Sequence, residues 1–348
     1  MSRFKHISLG LLLASLQAIA FADPISGAGS SAAKPLYETW ATAYQEKTST
    51  ALAYQPVGSS GGIKKIKEKT VDFGASDVAM SAEDLQANQL IQFPSAISGV
   101  VPIINLPGIK SGELKLSGEI LAGIFSHQIT RWNDAAIIAL NPNATLPKAA
   151  IQVIARLDGS GTTYNFTDYL SRINPEWKAA FGVNFLIKWP VEVQQVKGSS
   201  GIVAAVKQTS NSISYVDYNY VIQDKLTYVQ LKNADGNFVN PKPANFEAAL
   251  NHSRWKSQSD FNDMLTDKAG QNSWPITMGT FVIMPKISSA PEKTIAALKF
   301  FSWGFMQGDH YVNSLDFVHL PDSVQAKIFK QMMSIRDNKG NPLNWSPM

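Results

Sequence analysis

Ala155-Arg156-Leu157-Asp158-Gly159-Ser160-Gly161-Thr162-Thr163 joins two segments of different periodicity, and the class of fold turns on it. Before it, Ile151-Gln152-Val153-Ile154-Ala155 is an apolar run of strand length; after it, Tyr164-Asn165-Phe166-Thr167-Asp168-Tyr169-Leu170 opens a helix. A Gly-Ser-Gly-Thr turn between strand and helix aims free backbone N–H groups at one point, where the helix macrodipole adds partial positive charge. Such a turn is an anion cradle, and the hydroxyls of Ser160, Thr162 and Thr163 add donors. Arg156 brings a full charge on a forked donor suited to a tetrahedral oxyanion. Asp158, two residues on, can hold the guanidinium and cancel part of its charge. The same residue types also cap helices, so from this stretch alone a plain capped turn stands beside the anion site.

Two further turns share the design: Gly27-Ala28-Gly29-Ser30-Ser31 and Gly58-Ser59-Ser60-Gly61-Gly62, each ahead of a helix. If the three converge, they surround one small oxyanion with N–H groups and hydroxyls, with Arg156 as the strong cation. A fourth, Gly198-Ser199-Ser200-Gly201, either joins them or borders the cleft. Asp77, at the end of Val71-Asp72-Phe73-Gly74-Ala75-Ser76-Asp77, is at odds with an anion site unless the anion carries a proton. Phosphate keeps one at neutral pH and sulfate has none, so a buried carboxylate would admit the first and reject the second. Asp77 as the cap of a helix starting near Ala82 is the equal alternative.

The chain has 348 residues and no cysteine. Its start reads as a cleaved signal peptide: Arg3 and Lys5 form a basic n-region, Ile7 to Ala20 an apolar h-region, and Ala20-Phe21-Ala22 a cleavage signal before Asp23. Cleavage after residue 22 lowers the formal charge from +4 to +2, since two basic residues leave, and makes the basic balance a weak argument for nucleic acid or membrane partners. The remaining 326 residues (348 less 22) can bury a core without disulfides, as two lobes. With no cysteine there is no lipidation point, no thiol catalysis and no cysteine metal site. No later segment has the ~20 unbroken apolar residues of a membrane span. The expectation is a soluble periplasmic protein, with secretion beyond the periplasm open.

Strands and helices alternate along the chain, which predicts an α/β fold. Helices are expected at Lys34 to Lys47, Ile63 to Lys69, Gly118 to Phe125, Asp134 to Leu140, Ile202 to Lys207, Pro291 to Met306 and Pro321 to Arg336. Strands are expected at Ala51 to Val57, Val71 to Asp77, Ile91 to Leu106 (with bends), Ser212 to Tyr218 and Thr280 to Met284. Leu36, Trp40, Ala43 and Tyr44 recur at helical spacing and read as core. Lys64, Lys65, Lys67 and Lys69 read as a solvated face.

The chain resembles the periplasmic phosphate-binding proteins of the phosphate-specific ABC importer. The residues that carry the likeness are Ser26-Gly27-Ala28-Gly29, Tyr54-Gln55-Pro56-Val57-Gly58-Ser59-Ser60-Gly61-Gly62, Thr70 to Asp77, Arg156 to Thr162, Trp274-Pro275-Ile276-Thr277 and Leu320-Pro321-Asp322-Ser323-Val324. The resemblance implies a type 2 periplasmic-binding-protein fold, with two α/β lobes joined by a two-strand hinge. Lobe one would be residues 23–103 and 274–348, and lobe two residues 104–273. It implies hydroxyl donors at Ser31, Ser59, Ser160 and Thr162, and backbone N–H donors at Ala32, Ser59, Gly161 and Thr162. Asp77 would accept the phosphate proton, and Arg156, held by Asp158, would pair with the anion. The implied partners are inorganic phosphate and the permease and ATPase subunits of an importer, for a monomer with no cofactor, no metal and no enzymatic activity. Where the family usually has threonine and an aromatic, this chain has Ser31-Ala32; a hydroxyl and an N–H survive, while the packing over the ligand changes.

Other readings bear on the same residues. Gly58 to Gly62 also satisfies G-x-S-x-G, the hydrolase nucleophile elbow, which would need a histidine partner for Ser60 from His127, His252, His310 or His319. Gly27 to Ala32 satisfies the dinucleotide fingerprint, but the following strand ends Tyr54-Gln55-Pro56 and lacks the required acid. Sulfate and molybdate remain alternative ligands that Asp77 disfavours, and a structural or adhesive secreted protein is the remaining class.

Overall fold

The computed structural model describes residues 23–258 and 260–347, so the signal-peptide reading of residues 1–22 lies outside the described residues. The main sheet is built from β1 (Ile25–Gly29), β2 (Leu52–Gln55), β3 (Phe73–Ser76), β4 (Leu90–Asn105), β5 (Gln152–Arg156), β6 (Gln194–Val196), β7 (Ser212–Asp217), β8 (Thr227–Tyr228) and β9 (Thr277–Pro285). Its order is β2-β1-β3-β9-β4-β7-β5-β6, with β8 also beside β4. Strands β1, β2 and β3 run parallel, as do β5, β6 and β7. Between the two parallel sets lie β9 and β4, each antiparallel to its neighbours.

Leu90–Asn105 forms one long strand, and the bend expected within it is present as a bulge near Pro94. From Leu90 to Gly99 it pairs with β9, and from Val100 to Asn105 with β7. A bulge absorbs Pro94: the register shifts between Thr280 and Phe281, opposite that residue and Ala96. One strand thereby serves both halves of the molecule.

Helices α1 (Lys34–Thr48), α2 (Ser59–Lys67), α3 (Ala82–Ala87) and α4 (Gly161–Ile173) pack on this sheet. So do α5 (Gly198–Gln208), α6 (Tyr218–Gln223), α7 (Pro291–Gln307) and α8 (Asp322–Met332). The buried face of α1 is Leu36, Tyr37, Trp40, Ala43 and Tyr44, as its spacing predicts with Tyr37 added. Tyr37 meets Phe301 of α7 edge-on at 5.6 Å, and Phe301 meets Phe73 of β3 at 4.9 Å, so an aromatic cluster fastens α1 and α7 to the first parallel set. In the other half Phe166 of α4 stacks on Tyr215 of β7 at 4.2 Å.

Helices α2, α4 and α5 start four, three and four residues earlier than expected. Each glycine-serine turn is the first turn of its helix, not a loop before it. Apolar periodicity detects only where the packed face begins, and a Gly-Ser opening has none. Helix α8 ends at Met332 because Arg336–Asp337 pairs with Ile287–Ser288 as a short parallel ladder. Of the basic face on α2, Lys67 is paired with Asp84 at 2.7 Å. No helix among the described residues is long and apolar enough to cross a membrane.

Candidate functional site

Parallel strands present all their C-terminal ends on one side, and open α/β sheets place ligands there. Here β1 ends in Ser30 and Ser31, β3 in Asp77, β5 in the Arg156 turn, β6 in Gly198 and β7 in Asp217. The two parallel sets face each other across a cleft; the Gly58 and Gly159 turns and Ser30-Ser31 converge in it, whereas Gly27-Ala28-Gly29, expected as part of a turn, runs within β1. Gly161 N–H, from α4, donates to Ser59 Oγ at 3.1 Å, and Ser60 N–H, from α2, donates to Gly159 O at 3.1 Å. The approach is too close for a side chain at either turn. A Cβ at Gly161 would lie 2.4 Å from Ser59 Oγ and 2.7 Å from Asp77 Cβ; one at Gly58 (φ 82°) would lie 2.7 Å from Asp158 Oδ2.

On the first side, Asp77 is 3 % exposed. Its Oδ2 accepts from Ser30 Oγ at 2.7 Å and from Ser59 Oγ at 3.4 Å, and its Oδ1 from Thr280 Oγ1 at 2.8 Å. Burial pushes its carboxyl above the ordinary range, against the pull of those hydroxyls and of the Arg156 charge. It does not cap α3; Ser81 does, accepting from Asp84 N–H. Ser31 Oγ lies 2.9 Å from Ser199 Oγ, and Ala32 N–H points at Ser30 Oγ at 3.1 Å.

On the second side, Arg156 is 3 % exposed and gripped by Asp158 through Nε at 2.7 Å and Nη2 at 2.5 Å. Burial alone would raise Asp158, but the bonds and charge of Arg156 and the Gly198 N–H outweigh it and hold the carboxyl below the usual range. Ser160 is the N-cap of α4, accepting from Thr163 N–H at 3.2 Å, so the capping reading holds for this one residue. Thr162 Oγ1 is buried with no hydrogen-bond partner among the described residues. An orphaned hydroxyl costs ~1–3 kcal/mol, and this one is left available to a partner from outside the chain. At the mouth, a groove of about 420 Å³ is lined by Lys34 and Lys197 among others.

All of Ser31, Ala32, Ser59, Asp77, Arg156, Asp158, Ser160, Gly161 and Thr162 thus lie around one cleft. The fourth turn joins them: Ser199 meets Ser31, and Gly198 N–H donates to Asp158 Oδ1 at 3.0 Å. Sequence reasoning missed Ser30 and Thr280, which hold Asp77, and Asn165, Asn219 and Tyr220, which cross the cleft. Ser30 sat inside a recognised turn; Thr280 is 203 residues from Asp77 and carried no signal. Three of the candidate histidines have partners other than Ser60: His319 contacts Asp309 and Gln325, His252 the carbonyl of Ala248, and His310 the ring of Tyr311.

A model of the PBP superfamily domain matches residues 17–305. Phosphate-binding protein PstS of Haemophilus influenzae is 45 % identical over 310 residues, covering 89 % of this chain and 92 % of that protein. PstS of Pasteurella multocida is 43 % identical over 340 residues, 97 % of this chain and 98 % of its own. Among solved structures, a phosphate-bound high-affinity periplasmic phosphate-binding protein (PfluDING) superposes with TM-score 0.70 at 22 % identity, covering 88 % of this chain and 93 % of that one. A phosphate-binding protein from Stenotrophomonas maltophilia gives TM-score 0.69 at 20 % identity, with coverage of 88 % and 93 %. These structures fix the mixed α/β periplasmic-binding-protein fold, and the sequence relatives extend over nearly whole chains: the chain belongs to the PstS phosphate-binding proteins of the PBP superfamily.

Proposed function

We propose that the protein is an exported receptor, not an enzyme, which binds inorganic phosphate in the cleft and delivers it to the permease and ATPase subunits of an ABC-type importer. Residues 23–103 and 274–348 form one lobe and residues 104–273 the other, with two crossing strands as the hinge. In support, β4 changes partner at Val100, and the returning chain meets it there: Val100 N–H donates to Ile276 O at 2.8 Å. Export rests on the basic and apolar start of residues 1–22 and on the relatives' family.

The observation that carries this reading is that buried Asp77 lies against the first turn of α4, within reach of the charge of buried Arg156 from the opposite side. One site holds a cation and helix N–H groups for an anion, and a carboxylate for a proton. Phosphate at neutral pH offers both. Arg156 pairs with the anion while Asp158 fixes the guanidinium plane. Ser31, Ser59, Ser160 and Thr162 donate hydroxyls, and the N–H groups of Ala32, Ser59, Gly161 and Thr162 complete the cage. Asp77 accepts from the protonated oxygen. Sulfate, without a proton, would leave two negative groups in contact and bind poorly. Bound phosphate bridges the lobes and shifts the population towards the closed form.

Calorimetric titration of refolded, phosphate-stripped residues 23–348 tests this. One-to-one phosphate binding with no sulfate heat is expected. Comparable sulfate binding would remove the proton-reading role of Asp77, and a folded protein that binds neither would overturn the receptor reading.

A further inference from the structure

Three side chains from the second side of the cleft donate to backbone carbonyls on the first. Asn165 Nδ2, on α4, donates to Asp77 O at 2.8 Å and also to Gly161 O of its own helix at 2.9 Å. Asn219 Nδ2, on α6, donates to Ala32 O at 3.0 Å, and Tyr220 OH to Ser31 O at 2.9 Å. Asn165 and Asn219 are almost wholly buried and Tyr220 nearly so. Asp217, the N-cap of α6, accepts from the backbone N–H of Asn219 at 3.2 Å and so holds the start of the helix that carries Asn219 and Tyr220.

The acceptors are what make these bonds informative. The carbonyl of Ser31 and the N–H of Ala32 belong to one planar peptide, so a donor that fixes the carbonyl also fixes the direction of the N–H. Asn165 ties the peptide that follows Asp77 to the first turn of α4, where Gly161 abuts the Asp77 side chain. Each bond touches the main chain of a residue assigned above to the ligand, and each spans the two sides.

We propose that Asn165, Asn219 and Tyr220 form a cross-cleft latch: positioning residues that set how long the ligand stays and orient the Ser31–Ala32 and Asp77 backbone around it. This rests on the receptor reading. The bonds exist only when the two sides meet, so they add to the stability of the closed form and leave the open form untouched. Ligand enters through the open form and leaves by reopening. The latch therefore acts on the dissociation rate, and losing one buried hydrogen bond changes the closing equilibrium by about three- to tenfold.

The test compares wild type with Tyr220→Phe, which deletes one hydroxyl, and Asn165→Leu, which is near in volume and frees two carbonyls. Stopped-flow with inorganic phosphate reads both rate constants. The expected result for Tyr220→Phe is dissociation about three- to tenfold faster, with association within roughly twofold of wild type. Asn165→Leu should show the larger rise. Because the chain has no cysteine, Lys64→Cys and Lys178→Cys accept one spin label each, on exposed helix positions of the two sides. Their distance distribution should shift to longer separations in both variants. Unchanged dissociation and unchanged distances in folded variants would overturn the latch. If wild type itself takes up no phosphate, the receptor reading fails, and the label distances alone decide whether the latch holds the two sides together.

Discussion

Removing Arg156 does more than delete a donor, because it leaves Asp158 behind. The guanidinium is buried and held by two bonds from the same carboxylate, at 2.7 and 2.5 Å. In Arg156→Ala the ligand loses a charge-assisted hydrogen bond, worth ~1.5–3 kcal/mol. It also meets an unneutralised carboxylate; for unit charges roughly 6 Å apart at an effective dielectric of about 20, that repulsion is ~3 kcal/mol. Phosphate affinity should fall by at least ~2 kcal/mol, about thirtyfold, and by more if the repulsion is fully felt. Asp158→Ala alone removes the brace but leaves the charge, and should cost less. The double variant should bind better than Arg156→Ala, because the repulsive carboxylate is gone; a coupling of ~1 kcal/mol or more is expected. Calorimetry on the four proteins at fixed ionic strength reads it. A near-wild-type titration of Arg156→Ala would take the arginine out of the site. A double variant no better than the single would refute the claim that Asp158 repels once Arg156 is gone. The carboxyl of Asp158 is held low in the folded protein, so its stabilising effect is present above its unfolded value and lost as pH falls through the folded one.

Three other outcomes concern single positions. Asp77 has the opposite sign: its carboxyl is raised by burial, so the cost of charging it is absent below the ordinary value of 3.8 and sets in as pH rises through the folded value. Asp77→Asn should therefore raise Tm at about pH 7 more than at about pH 4 and weaken discrimination against sulfate; equal shifts at both pH values, or unchanged selectivity, would count against the charge argument. Gly161→Ala should leave Tm close to wild type in the open protein yet cut phosphate affinity at least about tenfold, since its methyl would strike Ser59 and Asp77 on closure; unimpaired binding would mean that the two sides need not approach so closely. Thr162→Val removes a buried hydroxyl without a partner, so Tm without ligand should hold or rise while phosphate binding weakens about fivefold; parallel losses in both would make Thr162 a structural residue.

Much of the site was legible because its chemistry is local. A cradle of N–H groups needs glycine, hydroxyls and a helix start within a few residues, and Gly58-Ser59-Ser60 and Gly159-Ser160-Gly161-Thr162 carry all three in order. Arg156 and Asp158 are two residues apart, close enough to be paired from their spacing. The exact helix starts were not legible, because polar first turns lack the apolar spacing that marks the rest of a helix. The continuity of β4 through Pro94 was hidden as well: the bulge that absorbs the proline is shared with β9, far along the chain.

Local sequence sufficed for the alternation of strands and helices, the aromatic face of α1, and the kinds of donor that each turn offers. These depend on neighbours within one or two turns of chain. Three-dimensional packing was needed to show which turns meet, that Thr280 and Ser30 hold Asp77, that Ser199 joins the cleft, and that Asn165, Asn219 and Tyr220 close it. Those contacts link residues 47 to 203 positions apart. They form because β9 and β4, paired side by side, join one parallel set of strands to the other with their C-terminal ends facing each other, and strand order leaves no trace in local composition.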